Sequence, residues 1–382
     1  MNCRILALLS LTFSLSNFAL AQAQAEPRDE ALQAPRLIID PDASVYPTNE
    51  RLFQGIPGLE RSPEGRLWAT WYGGGEGEGT ENYVMLVTSD DVGRSWSKLK
   101  LVIDQPDSEV RCYDPCLWTD PDGRLWLFWA QSYRHFDGRC GVWAIVAEDA
   151  NDADTSWSEP RRLCDGILMN KPTVLSSGDW LLPTAIWRIE DSCRVVASTD
   201  KGETWTLRGA ANIPDPEHRN CDEPMIVERQ DGNLWLLART RYGIGESHSS
   251  DGGKTWSPVE PTAIEHPVAR FFVRRLNSGN LLLVKHGPID EVTGREQLLA
   301  FVSRDDGESW EGGLMLDERR GISYPDGVEA PDGTISIIYD RDRKGALEIL
   351  MATFTEADAL AGKPSESTRL RVLVNRSGEA KP

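Results

Sequence analysis

The chain has 382 residues, with 41 lysines and arginines against 60 aspartates and glutamates, which gives a formal charge of −19. This acidic balance argues against non-specific binding to nucleic acid or to an anionic membrane surface. The apolar share of 40% is enough for a packed core and excludes disorder of the whole chain. At roughly 150 residues per domain, the length suits two or three domains.

The first 25 residues predict a secretory signal peptide, which leaves residues 26–382 as the mature domain. Arg4 is the one charged residue of this segment, an apolar stretch runs from Ile5 to Leu15, and small-residue cleavage motifs begin at Ala21 and Ala23. A membrane anchor is the alternative, but polar residues interrupt the stretch. Later segments fall short of the ~20 apolar residues that span a bilayer. We therefore expect a secreted or periplasmic protein with no membrane span.

Six cysteines follow the predicted signal, and their spacing favours no metal site. An even number permits disulfides in an exported chain, but spacing does not choose among the possible pairings, and free thiols remain an alternative. Cys112 and Cys116 lack the second close pair that a zinc site needs. The acidic run at 149–154 lacks the glycine and glutamate of a calcium loop. We expect neither a metal nor a cofactor.

A repeat of about fifty residues organises the mature chain. The pattern Ser-x-Asp-x-Gly-x-x-Trp occurs four times, with a degenerate fifth copy from Ala147 to Trp157. The four copies begin at Ser89, Ser198, Ser249 and Ser303. Asp and Gly suit a tight turn, Ser can hydrogen-bond to the backbone, and Trp can pack on a sheet. We interpret these motifs as structural turns rather than as binding sites.

A second series of turns interleaves with the first. Each of its glycines introduces a short apolar run, as expected of a β-hairpin. They are Gly65, Gly123, Gly178, Gly232, Gly279 and Gly333. Six units with room for about four short strands each predict a single six-bladed β-propeller. Two stacked β-sandwich domains are the alternative, but they do not explain a uniform register.

Two further expectations concern the end of the ring. Thr355 to Leu360 predicts one short capped helix, stopped by Gly362 and Pro364. Either the segment 370–374 or the segment 37–39 is expected to supply the strand that closes the ring.

Charged and polar residues recur at one depth of this register. Nine residues before a hairpin glycine, or seven in the shorter third unit, lie Asp114, Lys171, Glu223, Arg270 and Tyr324, and the first unit has Gln54-Gly55-Ile56 there. Seven residues after the glycine, on the returning strand, lie Tyr72, Arg239, His286 and Asp340. Buried charge is costly unless it is used or paired, so this ring predicts a binding site. Buried ion pairs that brace the channel are the alternative for single members.

The cations of the ring favour a small anionic ligand. Lys171, Arg239 and Arg270 lie in it, and His286 can join them, so guanidinium groups can bind an anion in a forked geometry. Glu223 is a possible base and Tyr324 a possible nucleophile. A tyrosine hydroxyl has a pKa of ~10 and needs a nearby carboxylate to take its proton.

The turns and the ring together resemble the exo-sialidases (neuraminidases) and their bacterial relatives, over essentially the whole mature chain. The resemblance implies a six-bladed propeller, three arginines that bind the substrate carboxylate, a tyrosine nucleophile paired with a glutamate, and an acid/base aspartate on a loop. Glu223, followed sixteen residues later by Arg239, is similar to the family's glutamate and second arginine. Arg295 resembles the third arginine, and Tyr324 resembles the nucleophile.

The first unit departs from the family pattern in two places. The family has an aromatic residue, then Arg, then Ile-Pro, whereas this chain reads Phe-Gln-Gly-Ile-Pro over 53–57, so the first arginine is missing. Arg51 and Arg270 are the candidate substitutes. The acid/base loop, over 73–81, contains no aspartate, which leaves its glutamates as candidates. They are Glu76, Glu78 and Glu81, of which Glu78 is our choice.

The leading hypothesis is a secreted exo-glycosidase of the sialidase type that acts on a terminal acidic sugar of a glycan. Catalysis is assigned to Tyr324, Glu223 and Glu78. Substrate binding is assigned to Arg239, Arg295, Arg270, Lys171, Asp114, Gln54 and His286. The alternatives are a non-catalytic carbohydrate-binding propeller and a hydrolase or lyase directed at another acidic sugar, such as a uronic acid.

Overall fold

A computed structural model describes residues 27–106 and 108–378, and within them the chain forms a six-bladed β-propeller. The predicted signal peptide at residues 1–25 lies outside the described residues. Each blade is an antiparallel sheet whose first strand in sequence is innermost, except in blade 1, where β1 is an outer strand and β2 is innermost. The uniform hairpin register therefore predicted the architecture correctly, and the described residues form one ring of six blades.

The first three blades are built from consecutive strands. Blade 1 contains β1 (Arg36–Ile39), β2 (Phe53–Arg61), β3 (Leu67–Gly74), β4 (Tyr83–Ser89) and β5 (Leu101–Asp104). Blade 2 contains β6 (Val110–Thr119), β7 (Leu125–Tyr133), β8 (Gly141–Ala147) and β9 (Arg161–Asp165). Blade 3 contains β10 (Ile167–Leu168), β11 (Thr173–Val174), β12 (Trp180–Ala185), β13 (Cys193–Ser198) and β14 (Thr206–Ala211). In blade 3 the short β10 and β11 both pair with β12, so they share the innermost place.

The last three blades follow the same plan with four strands each. Blade 4 contains β15 (Asp222–Glu228), β16 (Leu234–Thr240), β17 (Gly243–Ser249) and β18 (Glu260–Pro261). Blade 5 contains β19 (Phe272–Arg275), β20 (Leu281–His286), β21 (Glu296–Ser303) and β22 (Glu311–Arg320). Blade 6 contains β23 (Ile322–Glu329), β24 (Thr334–Arg341), β25 (Glu348–Thr355) and β26 (Arg369–Arg376).

Helical structure is confined to short segments. The predicted capped helix is α1 (Glu356–Ala361), with Thr355 and Asp358 forming a reciprocal capping box and Gly362 ending it in the left-handed region. Short 3₁₀ helices cover Pro27–Leu32, Thr48–Glu50 and Pro216–His218. Over residues 27–106 and 108–378, the chain forms no helix with the length and apolar character to span a membrane.

The serine-aspartate turns are structural, as predicted. In the first copy the Ser89 hydroxyl donates to Asp91 Oδ1 at 2.8 Å and accepts from the backbone N–H of Gly93 at 3.0 Å. The same two bonds recur in the other three copies. In blade 3 the turn glycine, Gly202, has a φ of +85°, and a Cβ there would lie 2.7 Å from the ring of Trp126 in blade 2. The turns thus fix the contact between neighbouring blades.

The ring closes by packing between blades 1 and 6 without a shared strand, which corrects the sequence-based expectation. The segment 37–39 forms part of β1, an extra outer strand of blade 1, and 370–374 lies in β26, the outer strand of blade 6. Closure comes from an apolar cluster that includes Leu59 and Trp71 of blade 1 and Ile338 of blade 6. Aspartates of blade 6 also accept hydrogen bonds from the backbone of β2.

The six cysteines of the described residues are free thiols, so no disulfide links the blades within these residues. They are Cys112, Cys116, Cys140, Cys164, Cys193 and Cys221. Burial raises the pKa of Cys116 and of Cys140 to about 12, which keeps both thiols protonated and unreactive at neutral pH.

Candidate active site

Four inner strands carry the same bulge, and the bulge presents one side chain per blade at the mouth of the channel. In β2, β6, β15 and β23 the ladder with the next strand shifts register at this point. The residue at the bulge has a positive φ and is followed by a proline, which has no N–H to lose from the interrupted ladder. These residues are Ile56 (φ 58°), Asp114 (47°), Glu223 (44°) and Tyr324 (55°). Backbone strain repeated at one depth is typical of a functional site.

Tyr324, Glu223 and Arg239 form the centre of the site. The Tyr324 hydroxyl donates to Glu223 Oε1 at 3.1 Å, and Arg239 Nη1 donates to the same oxygen at 2.6 Å and to the hydroxyl at 3.1 Å. Burial, followed by the charge of Glu223, raises the pKa of the Tyr324 hydroxyl well above its usual range, so it is neutral at rest. Glu223 Oε2 is buried and has no hydrogen-bond partner. The carboxylate is therefore able to accept a proton from the tyrosine.

Two more arginines face the ring of Tyr324. The guanidinium carbon of Arg295 lies 5.7 Å from the ring centroid, and that of Arg343 lies 5.2 Å from it. Arg295 is held by a hydrogen bond to the Ser323 hydroxyl at 2.9 Å. A cleft of about 480 Å³ opens beside them, lined by Phe53, Glu78, Arg295, Ser323, Arg343 and Lys344 among others. This cleft is large enough for a monosaccharide and is bordered by cations.

Glu78 is the loop glutamate that reaches this cleft. Its Oε1 accepts from Arg343 Nη1 at 3.1 Å, and its Oε2 lies 3.7 Å from Arg111 Nη2. Its side chain is 35% exposed, so it lies where a substrate can contact it. Glu76 does not line this cleft, and the carboxylate of Glu81 lies against Gly75 instead. The geometry thus singles out Glu78 among the three candidates.

Asp114 is a second carboxyl group within the electrostatic reach of the site. Burial raises its pKa to about 7, and the charges of Glu78 and Glu223 act in the same direction, while Arg111 partly opposes them. The side chain is 4% exposed. A carboxyl group with this pKa exchanges its proton near neutral pH, which is a property expected of an acid/base catalyst.

Replacing Asp114 by asparagine should change how stability depends on pH. A carboxyl group whose pKa rises on folding, here from 3.8 to about 7, stabilises the fold fully below the lower value, and that stability is lost as pH rises through the higher one. Asparagine does not ionise, so the Asp114→Asn variant does not lose this stability. The Tm of the variant minus that of the wild type should therefore become more positive as the pH is raised from about 5 to about 8. Between pH 5 and pH 8 the difference in stability corresponds to at most about 3 kcal/mol.

Thermal melts of both proteins across this range test the effect. Asp222 and Asp340, whose pKa values burial raises to about 6, remain in both proteins and cancel in the comparison. A Tm difference that stays constant with pH would contradict the raised pKa of Asp114.

Two predicted ligand contacts, Lys171 and Arg270, instead brace the interior of the channel. Lys171 Nζ donates to the backbone oxygens of Leu59 (2.6 Å) and Leu117 (2.7 Å) and pairs with Glu60 and Asp326. Arg270 donates to Asn170 Oδ1 at 2.8 Å and lies 3.4 Å from Asp326. Both are almost fully buried. These two residues therefore follow the alternative interpretation, in which charged residues at this depth form buried ion pairs that brace the channel. Their charges are already balanced by protein partners.

His286 and Gln54 also lie away from the cleft. His286 is fully buried against His266, with ring centroids 5.4 Å apart, and burial lowers its pKa to about 3. It is neutral and does not join the cations, contrary to the sequence-based expectation. Gln54 Nε2 donates to the backbone oxygen of Leu347 at 2.6 Å, and its Oε1 accepts from Arg51 at 2.8 Å, so its amide is occupied inside the protein.

Sequence reasoning missed two arginines near Glu78: Arg343, which lines the cleft, and Arg111, which is buried beside it. Arg343 follows β24, beyond the register used to choose candidates. Arg111 lies at the start of β6, where its guanidinium stacks on Tyr113 at 3.9 Å and donates to the Tyr72 hydroxyl at 2.9 Å. One signal was present in the sequence: the X-Pro pairs at 56–57, 114–115, 223–224 and 324–325 mark the bulges.

Across residues 27–106 and 108–378, no group of three or more His, Cys, Asp or Glu is arranged to hold a metal ion.

Comparison with known proteins agrees with the propeller fold. Two bacterial proteins named sialidase are similar over 75% of this chain: one from Bacteroides fragilis strain YCH46 at 24% identity, and one from Micromonospora viridifaciens at 25%. The chain spans 59% and 49% of the length of these relatives. The intramolecular trans-sialidase of Ruminococcus gnavus, solved with oseltamivir carboxylate, superposes with a TM-score of 0.64 at 16% identity, covering 85% of this chain and 98% of that one.

A protein of unknown function from Dyadobacter fermentans has a similar structure, with a TM-score of 0.60 at 16% identity over 82% of this chain and 95% of its own. At such identities the structural likeness establishes the fold alone. The family described as "BNR repeat-like domain" matches residues 65–337, which is most of the propeller. The chain therefore belongs to the BNR repeat-like family, within the sialidase superfamily.

Proposed function

We propose that the protein is an exo-glycosidase of the sialidase type, which hydrolyses a terminal acidic sugar, sialic acid or a relative, from a glycan. The single observation that carries the proposal is the Tyr324 hydroxyl held 3.1 Å from both Glu223 Oε1 and Arg239 Nη1. A tyrosine nucleophile next to a carboxylate base is an established departure from the two-carboxylate glycosidases. The sialidase names of the two bacterial relatives support the same assignment.

The nucleophile is suited to an anionic sugar. An attacking carboxylate would be repelled by the carboxylate of such a substrate, and the repulsion is strong in a site from which water is excluded. Tyr324 avoids this because it is neutral until it reacts. Its proton passes to Glu223 as its oxygen bonds to the anomeric carbon, and Arg239 and Arg295 bind the anionic group of the sugar.

Proton transfer at the leaving group is assigned to Glu78. As the glycosidic bond breaks, Glu78 gives its proton to the departing oxygen, which completes the glycosyl-tyrosine intermediate. The ionised Glu78 then takes a proton from a water molecule that attacks the anomeric carbon, and Glu223 returns its proton to Tyr324. Asp114, with its pKa raised to about 7, is the alternative donor.

A panel of substrates tests the proposal. Fluorogenic sialosides, uronides and the corresponding neutral hexosides are incubated with the protein, and release of the fluorophore is measured. We expect release from an acidic sugar and none from its neutral counterpart. Binding of an acidic sugar without release from any substrate would instead favour a carbohydrate-binding propeller, and release from uronides alone would move the activity to another acidic sugar.

Export to the periplasm or the medium is part of the proposal, and it rests on the sequence of residues 1–25 alone. Amino-terminal sequencing of protein secreted from an expression host tests it. We expect a mature terminus that begins after Ala23 or Ala25, whereas retention of Met1 in the cell would contradict export.

A further inference from the structure

Gly55 leaves space that another side chain fills. It directly precedes Ile56 and Pro57, which is where the family pattern has its first arginine. Its φ lies outside the left-handed region, so the backbone does not require glycine there. A Cβ at this position would contact Arg343 Cδ and would lie 2.6 Å from Arg343 Cγ and 2.8 Å from Asp340 Oδ2. The side chain of Arg343, together with the carboxylate of Asp340, therefore occupies the volume that a side chain at position 55 would take.

Arg343 is fixed in this space from several directions. Its backbone oxygen accepts from the Gln54 N–H at 3.2 Å, which ties the loop after β24 to β2. Its Nε lies 4.0 Å from Asp340 Oδ1, a buried oxygen with no hydrogen-bond partner, and its guanidinium carbon lies 5.9 Å from the ring centroid of Phe53. Such anchoring lowers the conformational entropy that the arginine loses when it binds a ligand.

The position of the guanidinium completes a set of three around Tyr324. Arg239 contacts the hydroxyl, while Arg295 and Arg343 lie at 5.7 and 5.2 Å from the ring centroid. Arg343 already binds a carboxylate on its cleft side, because Glu78 Oε1 lies 3.1 Å from its Nη1. The cleft geometry therefore accommodates an anionic oxygen at this guanidinium.

The two substitutes considered from sequence do not reach the cleft. Arg51 is 2% exposed and donates to Gln54, Thr48 and Asn375. Arg270 is held by Asn170 and Asp326 inside the channel. Both arginines are buried and hydrogen-bonded inside the protein. Among residues 27–106 and 108–378, Arg343 of blade 6 is the arginine that lies against the first blade and also lines the cleft.

We propose that Arg343 replaces the missing first arginine and binds the substrate carboxylate together with Arg239 and Arg295, and that Glu78 occupies this place before the substrate arrives. The inference rests on the proposed function. Its mechanistic consequence is that the arriving carboxylate displaces Glu78 from Arg343.

Binding measurements on a matched pair of ligands test this proposal. The ligands are methyl α-sialoside and its analogue with the carboxylate reduced to an alcohol, titrated by calorimetry into the protein with Tyr324→Phe to prevent turnover. We expect Arg343→Ala to lower the affinity for the acid roughly 10- to 100-fold, because one charge-assisted contact is lost. The affinity for the alcohol should change little. Arg343→Gln, which keeps most of the side-chain volume, should give the same selective loss.

A complementation variant makes the test sharper. Gly55→Arg alone should lower the Tm, because its side chain competes with Arg343 for one space. Gly55→Arg combined with Arg343→Ala should recover much of the lost affinity for the acid, because an arginine again projects from the first blade. Arg371→Ala is the control, since Arg371 is an exposed arginine of blade 6, the blade that carries Arg343, and it pairs with Glu318.

The outcomes separate this inference from the proposed function. Suppose that the protein binds the acid, and that Arg343→Ala lowers the affinity for acid and alcohol equally or leaves both unchanged. The role of Arg343 is then refuted, while the proposed function stands. If the protein binds neither methyl α-sialoside nor a methyl uronide, then the function and this inference both fail. If Arg343→Ala lowers the affinity for the acid alone, and Gly55→Arg in the same protein restores that affinity, then Arg343 takes the place of the missing first arginine.

Discussion

Replacing Tyr324 with phenylalanine should lower kcat for an acidic glycoside by roughly three orders of magnitude or more, because the nucleophilic oxygen is removed. Binding should persist. The phenyl ring still offers its face to Arg295 and Arg343, and the 2.6 Å pair between Arg239 and Glu223 does not depend on the hydroxyl. Steady-state kinetics together with calorimetric titration of the substrate measure both quantities.

Tyr133→Phe provides the control for this variant. Tyr133 lies in β7, and its hydroxyl contacts Glu109 at the surface, away from the cleft. The control should retain wild-type turnover and stability. Unchanged turnover in the Tyr324→Phe protein would remove the tyrosine from the mechanism, and with it the main support for a sialidase-type reaction.

Replacing Glu78 with glutamine should produce a loss that depends on the leaving group. A general acid matters most when the departing oxygen is basic, so activity on a natural sugar-linked substrate should fall roughly 10²- to 10⁴-fold. Activity on an aryl glycoside with an acidic phenol should fall far less, because such a phenol departs without protonation. Rates on a lactose-linked and a nitrophenyl substrate of the same acidic sugar measure the difference.

Two further variants identify the proton donor by the same assay. Glu76→Gln serves as the control because Glu76 is an exposed member of the same loop. Asp114→Asn tests the buried alternative. If Asp114→Asn shows the leaving-group dependence and Glu78→Gln loses activity equally on both substrates, then Asp114 is the donor and our assignment of Glu78 is wrong.

The number and type of blades were predictable because the signals are local. Each serine-aspartate turn contains its own hydrogen bonds, and each hairpin glycine introduces the strand that returns from it. The way the ring closes was not predictable in this manner. The pairing of β1 with β5 and the packing of Leu59 against blade 6 join segments that are distant in sequence, and local pattern does not specify such contacts.

The site was predictable only where the register determines the direction of the side chain. Glu223 and Tyr324 meet because each lies at a bulge that turns it to the mouth of the channel. Lys171 and Arg270 lie at matching depth, yet their side chains reach Asp326 inside the channel, because depth alone does not specify direction. Arg343 was missed because it lies on a loop, and its role depends on the absence of a side chain at Gly55.

The repeated bulge also bears on how such a protein changes its chemistry. Its backbone is alike in four blades, whereas the residue it presents differs in every one: isoleucine, aspartate, glutamate and tyrosine. Gene duplication followed by point substitution at these four codons could therefore diversify a catalytic centre while the scaffold stays constant. Position 56 is the apolar one of the four, and it is where we would begin to engineer a new specificity.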